Sequence, residues 1–130
     1  MRLTLLLLSL ILTQPAAAQT RLTPDEFLDR AIGRTLTFSV FPTGEWVGTE
    51  QFLTRDRSVW AKHDGRCTYG DITRDGLYVC FRYEDEPNEL HCWVPFIHDA
   101  QLLVRGSLGE IQQVTEITEK PVICSGAPMS

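Results

Sequence analysis

Residues 67–93 read CTYGDITRDGLYVCFRYEDEPNELHCW, and this stretch decides the fold. It holds three of the chain's four cysteines and five aromatic residues: Tyr69, Tyr78, Phe81, Tyr83 and Trp93. Arg74-Asp75-Gly76 supplies a residue that tolerates positive φ, so Thr73 to Gly76 reads as a tight hairpin turn. Folded there, Cys67 falls opposite Cys80 and Tyr69 opposite Tyr78. Glu84 to Glu89, with Pro87-Asn88 inside it, is the next break. Folded about Glu86, Cys80 falls opposite Cys92, Val79 opposite Trp93 and Phe81 opposite His91. The stretch is therefore three consecutive antiparallel strands, near 66–72, 77–83 and 90–96. Directly opposed residues approach closely enough for a cross-strand disulfide. Turn arithmetic allows both Cys80–Cys92 and Cys67–Cys80, and four cysteines allow three pairings. The pairing favoured is Cys80–Cys92 with Cys67–Cys124, because the second bridge would pin the tail.

Outward from this stretch, the chain keeps to short strands and turns. Thr35 to Phe41 alternates Leu36, Phe38 and Val40 with Thr35, Thr37 and Ser39, the period of a half-buried strand. Glu45 to Leu53 carries Trp46 and Phe52, and Ser58 to Lys62 carries Val59 and Trp60. His63-Asp64-Gly65 has the Asp-Gly turn signal, and folding there sets Trp60 opposite Tyr69. Gln101 to Arg105 and Ile111 to Ile117 complete about eight strands, separated by His98-Asp99 and by the Gly106 to Gly109 turn. No gap is long enough for a parallel crossover helix. The fold class is mainly β: an antiparallel meander closing into a small barrel, in preference to a β-sandwich, because closure removes the edges. One helix precedes it. Thr23 can cap, Pro24 suits the first turn, Glu26 closes a capping box, and Gly33 stops the helix. Phe27, Leu28, Ala31 and Ile32 form its apolar stripe.

The N-terminus carries an export pattern. Arg2 precedes an apolar run from Leu3 to Leu12, broken only by Thr4 and Ser9. Ala16-Ala17-Ala18 offers a small-residue cleavage site, so 1–18 reads as a signal peptide and 19–130 as one domain. The apolar run is too short to span a bilayer, which takes about 20 residues. A periplasmic or secreted location follows, without stable membrane insertion after cleavage, and disulfides suit that oxidising setting. The tail beyond Cys124 is expected to fray. The chain has 12 basic and 17 acidic residues, a net charge of −5. Such a balance, with no basic stripe, speaks against nucleic acid as a partner.

Motifs for catalysis are missing. There is no GxSxG, P-loop or GxGxxG, and the cysteines form no CxxC pairs. His63, His91 and His98 have no zinc-ligand spacing. His98-Asp99 reads as a polar turn rather than a catalytic dyad. No catalytic residue, cofactor or metal is therefore assigned, and the chain does not read as an enzyme. The acidic run Glu84, Asp85, Glu86, Asn88, Glu89 lacks the register of an EF-hand and reads as a solvated hairpin tip. It is also the candidate partner-binding surface, through Glu84, Asp85, Glu86 and Glu89. A barrel of about eight strands is filled by side chains or holds one small ligand. For the second case the candidate ligand-binding residues are Trp60, Tyr78 and Arg82, a cationic and aromatic cluster suited to an anionic or sugar ligand.

The pattern TPDEF, GRTLTF, Gly44-x-Trp46-x-Gly48-x-Glu50-x-Phe52, Asp64-Gly65-x-Cys67, CFRYED and Cys92-Trp93 resembles small exported proteins of Gram-negative bacteria classed as domains of unknown function. Trp46, Gly48, Gly65, Cys67, Cys80, Tyr83, Cys92 and Trp93 are its markers. The meander is also similar to lipocalin-like barrels and to periplasmic lysozyme-inhibitor barrels. The resemblance implies the fold and assigns no functional residue. Two functions are expected from it and from the residues: a non-catalytic periplasmic module that binds a small ligand or an envelope component, or an inhibitor of an envelope-directed hydrolase such as lysozyme. In the second, the acidic run would enter a cationic cleft.

Overall fold

A computed structural model of the chain describes residues 19–130. The expected signal peptide, 1–18, lies outside the described residues. The elements run β1 (Thr20–Arg21), α1 (Pro24–Ala31), β2 (Thr35–Val40), β3 (Trp46–Phe52), β4 (Arg57–Lys62), β5 (Cys67–Asp75), β6 (Tyr78–Tyr83), β7 (His91–His98), β8 (Gln101–Gly106) and β9 (Ile111–Thr118). Every strand from β2 to β9 pairs antiparallel with its neighbour in sequence, and β9 pairs back onto β2. The result is a closed eight-stranded up-and-down barrel. The short β1 is a ninth strand, attached to β7 through Thr20 opposite Ile97 and Arg21 opposite Phe96.

The helix forms as its sequence dictates. Glu26 N donates to Thr23 Oγ1 at 3.1 Å and Thr23 N donates to Glu26 Oε2 at 2.7 Å, the reciprocal pair of a capping box. Phe27, Leu28 and Ala31 are buried. They join Leu36, Phe52 and Ile72 in the main core, with Phe27 edge-on to Phe52 at 5.8 Å. Arg55 ties the helix to the β3–β4 turn, donating to Asp25 and Asp29 at 2.7 Å each. The helix thus closes the end of the barrel where β2 begins.

Both disulfides are those favoured from the sequence. Cys80 and Cys92 face each other in register across β6 and β7, with Cα atoms 4.1 Å apart. Cys67–Cys124 draws the tail over the outside of the barrel, with Cα atoms 5.6 Å apart. There Val122 and Cys124 cover Val59, Ala61 and Cys67, forming a second small core on the outer face of β4 and β5.

Three expectations are corrected. The β5–β6 hairpin does not turn at Thr73 to Gly76. Asp75 pairs with Tyr78 and Thr73 with Cys80, leaving Gly76-Leu77 as the loop. Gly76 alone carries positive φ (+57°), which is the requirement of a type II′ turn at its first loop position. Tyr69 therefore does not face Tyr78. The β4–β5 loop is also one residue longer than the Asp-Gly signal implied: Lys62 N bonds Arg66 O, with 63–65 as loop and Gly65 at φ +84°. Trp60 consequently pairs with Thr68 and not with Tyr69. A shift of one residue reverses the face of a side chain, and Tyr69 packs outside with Val59. Finally, the tail past Cys124 is hydrogen-bonded back to the barrel. Ser125 N donates to Gly65 O, and Met129 N donates to Cys67 O at 2.7 Å.

Candidate functional site

The barrel is not filled along its whole length. A cavity of about 230 Å³ occupies the end away from the helix. Its position follows from the meander: the ends of β2, β4, β6 and β8 and the starts of β3, β5, β7 and β9 share one rim. Lys62, Asp85, His91 and Gln112 line the cavity from that rim, while Phe27 of α1 lies at its floor.

Strand alternation selects the walls. In β3, Gly48, Glu50 and Phe52 are buried while Thr49 and Gln51 are half-exposed, and Val47, at the β2–β3 bulge, also lines the cavity. Glu50 faces Trp60 across β3 and β4. β6 contributes Val79, Phe81 and Tyr83, and β7 contributes His91, Trp93 and Pro95. The rings form a near-continuous wall: Phe38 to Trp60 at 6.3 Å, Trp60 to Tyr83 at 6.3 Å, Phe81 to Tyr83 at 6.2 Å and Tyr83 to His91 at 5.6 Å between centroids. Two glycines make room for these rings. A Cβ on Gly48 would sit 2.4 Å from Trp60 Cζ2, and one on Gly70 would sit 2.9 Å from Tyr83 Cε1. A missing side chain thus lies against Trp60 and another against Tyr83.

Glu50 is the unusual group in this wall. It is 2% exposed. Tyr83 Oη donates to its Oε2 at 2.8 Å, while its Oε1 is buried without a hydrogen-bond partner. Among the described residues no basic side chain pairs with it. Burial pushes its pKa up to about 7, and the nearby hydroxyls of Ser58 and Tyr83 offset this only in part. Ser58 Oγ itself makes no hydrogen bond of good geometry. Tyr83 is driven well above the usual phenol range, first by burial and then by the charge of Glu50. A carboxyl poised near neutrality in an aromatic hollow can accept a hydrogen bond, balance a cation or exchange a proton.

The sequence candidates divide. Trp60 lines the cavity. Tyr78 and Arg82 do not: they alternate with Val79 and Phe81 and lie exposed outside the barrel. Arg82 Nη1 donates to Pro87 O at 2.8 Å, holding the β6–β7 turn. The cationic and aromatic cluster expected from Trp60, Tyr78 and Arg82 is therefore not assembled, since adjacent strand residues face opposite ways.

The acidic run is turned back onto the rim. Arg57 donates to Glu84 at 2.6 Å, Lys62 donates to Asp85 at 2.6 Å, and His91 Nε2 lies 3.2 Å from Glu86. Burial works to raise the pKa of Asp85, but Lys62 and the Thr68 hydroxyl outweigh it and hold the carboxyl below its usual range. Glu89 is the most exposed of the four carboxylates, at 68%. Glu86, Glu89 and His91 bring ligand-type atoms within 4.8 Å of one another, and the His91 contacts themselves account for that approach. His98 Nε2 and Asp99 Oδ2 are 3.4 Å apart. They sit on the β7–β8 turn, at the helix end of the barrel and away from the cavity.

Sequence reasoning missed Glu50. The signal was available in the alternation of residues 46–52: Glu50 shares its phase with Gly48 and Phe52, so a core-facing Phe52 places a carboxylate inside. No protein-family model, no curated protein and no solved structure matches this chain.

Proposed function

We propose that this protein is an exported, non-catalytic binding module that holds a small ligand in the mouth of its barrel. One observation carries the reading: a hollow of about 230 Å³ is walled by aromatic rings and lined by the buried carboxyl group of Glu50, which has no basic partner among the described residues. Binding sites combine apolar walls with a few placed polar groups in this way. The volume falls below the roughly 300–1,000 Å³ of drug-sized sites and above the roughly 150 Å³ engineered cavity that admits benzene. A ligand the size of one ring with a short substituent suits it. Two disulfides in a chain with no free cysteine favour an oxidising, periplasmic setting. The inhibitor reading gains no such support, because Glu84, Asp85 and Glu86 are engaged by the barrel's own basic and imidazole groups.

Native mass spectrometry of protein released from the envelope of cells that make it tests this reading. A small retained mass, absent from a Val47→Phe variant whose ring intrudes on the cavity, supports it. A protein that carries nothing, and whose tryptophan fluorescence is unmoved by single-ring compounds at millimolar concentration, overturns it.

A further inference from the structure

The charges around the cavity restrict what it can hold. Glu50, Asp85 and Glu86 line it against one lysine, Lys62. That lysine is already taken, with Nζ 2.6 Å from Asp85 Oδ2 and 3.8 Å from Glu86 Oε1. Glu50 is left as a buried carboxyl that accepts from the Tyr83 phenol and has no basic partner among the described residues. A lone buried carboxylate is costly unless a cation pairs with it. An anionic ligand would raise that cost. Electron-rich ring faces beside it, those of Trp60 and Tyr83, attract cations within about 6 Å.

We infer that the cavity selects a small organic ammonium ion, with its charged head toward the Glu50 carboxyl group and the rings of Trp60 and Tyr83, and its apolar body reaching toward Phe38 and Phe81. The inference rests on the binding-module reading and narrows it to a ligand class. It also reverses the expectation, drawn from Arg82 and Tyr78, of an anionic or sugar ligand.

Calorimetric titration with benzylammonium, benzyl alcohol and benzoate tests the class, since the three share a ring and differ in charge. At pH 8 benzylammonium should bind at least tenfold more tightly than benzyl alcohol, with benzoate weakest. Glu50→Gln keeps the volume and an acceptor for the Tyr83 hydroxyl. It should bring the amine's affinity down to that of the alcohol and leave the alcohol within twofold. The unmodified protein gives a second readout that needs no variant. Amine affinity should fall about tenfold from pH 8 to pH 6, as expected for loss of a carboxylate titrating near 7, while alcohol affinity stays flat. Ser58 and Lys62 of β4, Tyr83 of β6, Asp85 and Glu86 of the β6–β7 turn and His91 of β7 share this wall. A pH response that persists in Glu50→Gln belongs to another group of this wall and overturns the role of Glu50. Alcohol binding as tightly as the amine, or benzoate binding best, overturns the ammonium inference but leaves the binding module standing. Failure of all three to bind at millimolar concentration overturns both.

Discussion

Replacing Glu50 by glutamine should abolish a stability change with pH that the wild-type protein carries between pH 5 and pH 8. Glu50 titrates at about 7 in the folded chain, against 4.5 for the unperturbed glutamate of the unfolded chain. The folded state therefore holds the proton more tightly than the unfolded state. The stabilising contribution of the protonated group is fully present below about pH 4.5, declines as pH rises, and is lost by the time pH has passed 7. Over the steep part of the window the slope approaches 1.4 kcal/mol per pH unit. Integrated from pH 5 to pH 8, it amounts to about 2.5 kcal/mol. Urea unfolding followed by tryptophan fluorescence, with both disulfides oxidised, measures it. Wild-type and Glu50→Gln proteins should differ in ΔG by an amount that shifts by about 2.5 kcal/mol across those three pH units, in favour of the variant at high pH. Taking the difference cancels titrations common to both proteins, including those of the histidines. Asp25, Asp64 and Asp85 are held below the usual carboxylate range. Their contributions are present at neutral pH and are lost only as pH falls below about 4, outside the window. A difference that stays flat within about 0.5 kcal/mol from pH 5 to pH 8 would show that Glu50 is solvated in solution, and the reasoning about the cavity would fail with it.

Other outcomes follow from the same geometry. Gly70→Ala places a Cβ 2.8 Å from Ser58 Oγ and 2.9 Å from Tyr83 Cε1; overpacking of this kind should cost about 1–3 kcal/mol in urea unfolding and disturb the near-ultraviolet circular dichroism of Tyr83 and Trp60. Paired serine substitutions should rank by loop length, with loss of Cys67–Cys124 costing about 4 kcal/mol and loss of Cys80–Cys92 about 3 kcal/mol in equilibrium unfolding. The first should also expose the Ser125 and Met129 amides to hydrogen exchange, because it frees the tail from the Gly65 and Cys67 carbonyls to which they donate. Thr23→Ala removes one arm of the capping box and should cost about 1 kcal/mol, read as a lower urea midpoint with unchanged slope.

The sequence by itself determined the eight strands of the meander and the helix with its cap; it favoured a barrel over a sandwich and Cys80–Cys92 with Cys67–Cys124 over the other pairings, and the tertiary structure decided both. These rest on local signals: apolar residues at alternating or helical spacing, turn residues between them, and the Cys80 and Cys92 positions equidistant from the β6–β7 turn. It did not determine which face Tyr69, Tyr78 and Arg82 occupy. Facing depends on loop length, and one residue more in the 63–65 loop or a turn two residues later at Gly76-Leu77 cannot be weighed from turn propensity alone. Closure of the barrel decided the rest. Only when eight strands meet does Glu50 lose its water, find the Tyr83 hydroxyl on a strand 33 residues away, and become the one buried carboxyl of an aromatic hollow. Desolvation is a property of what surrounds a group, and the surroundings of Glu50 come from strands spread across the chain.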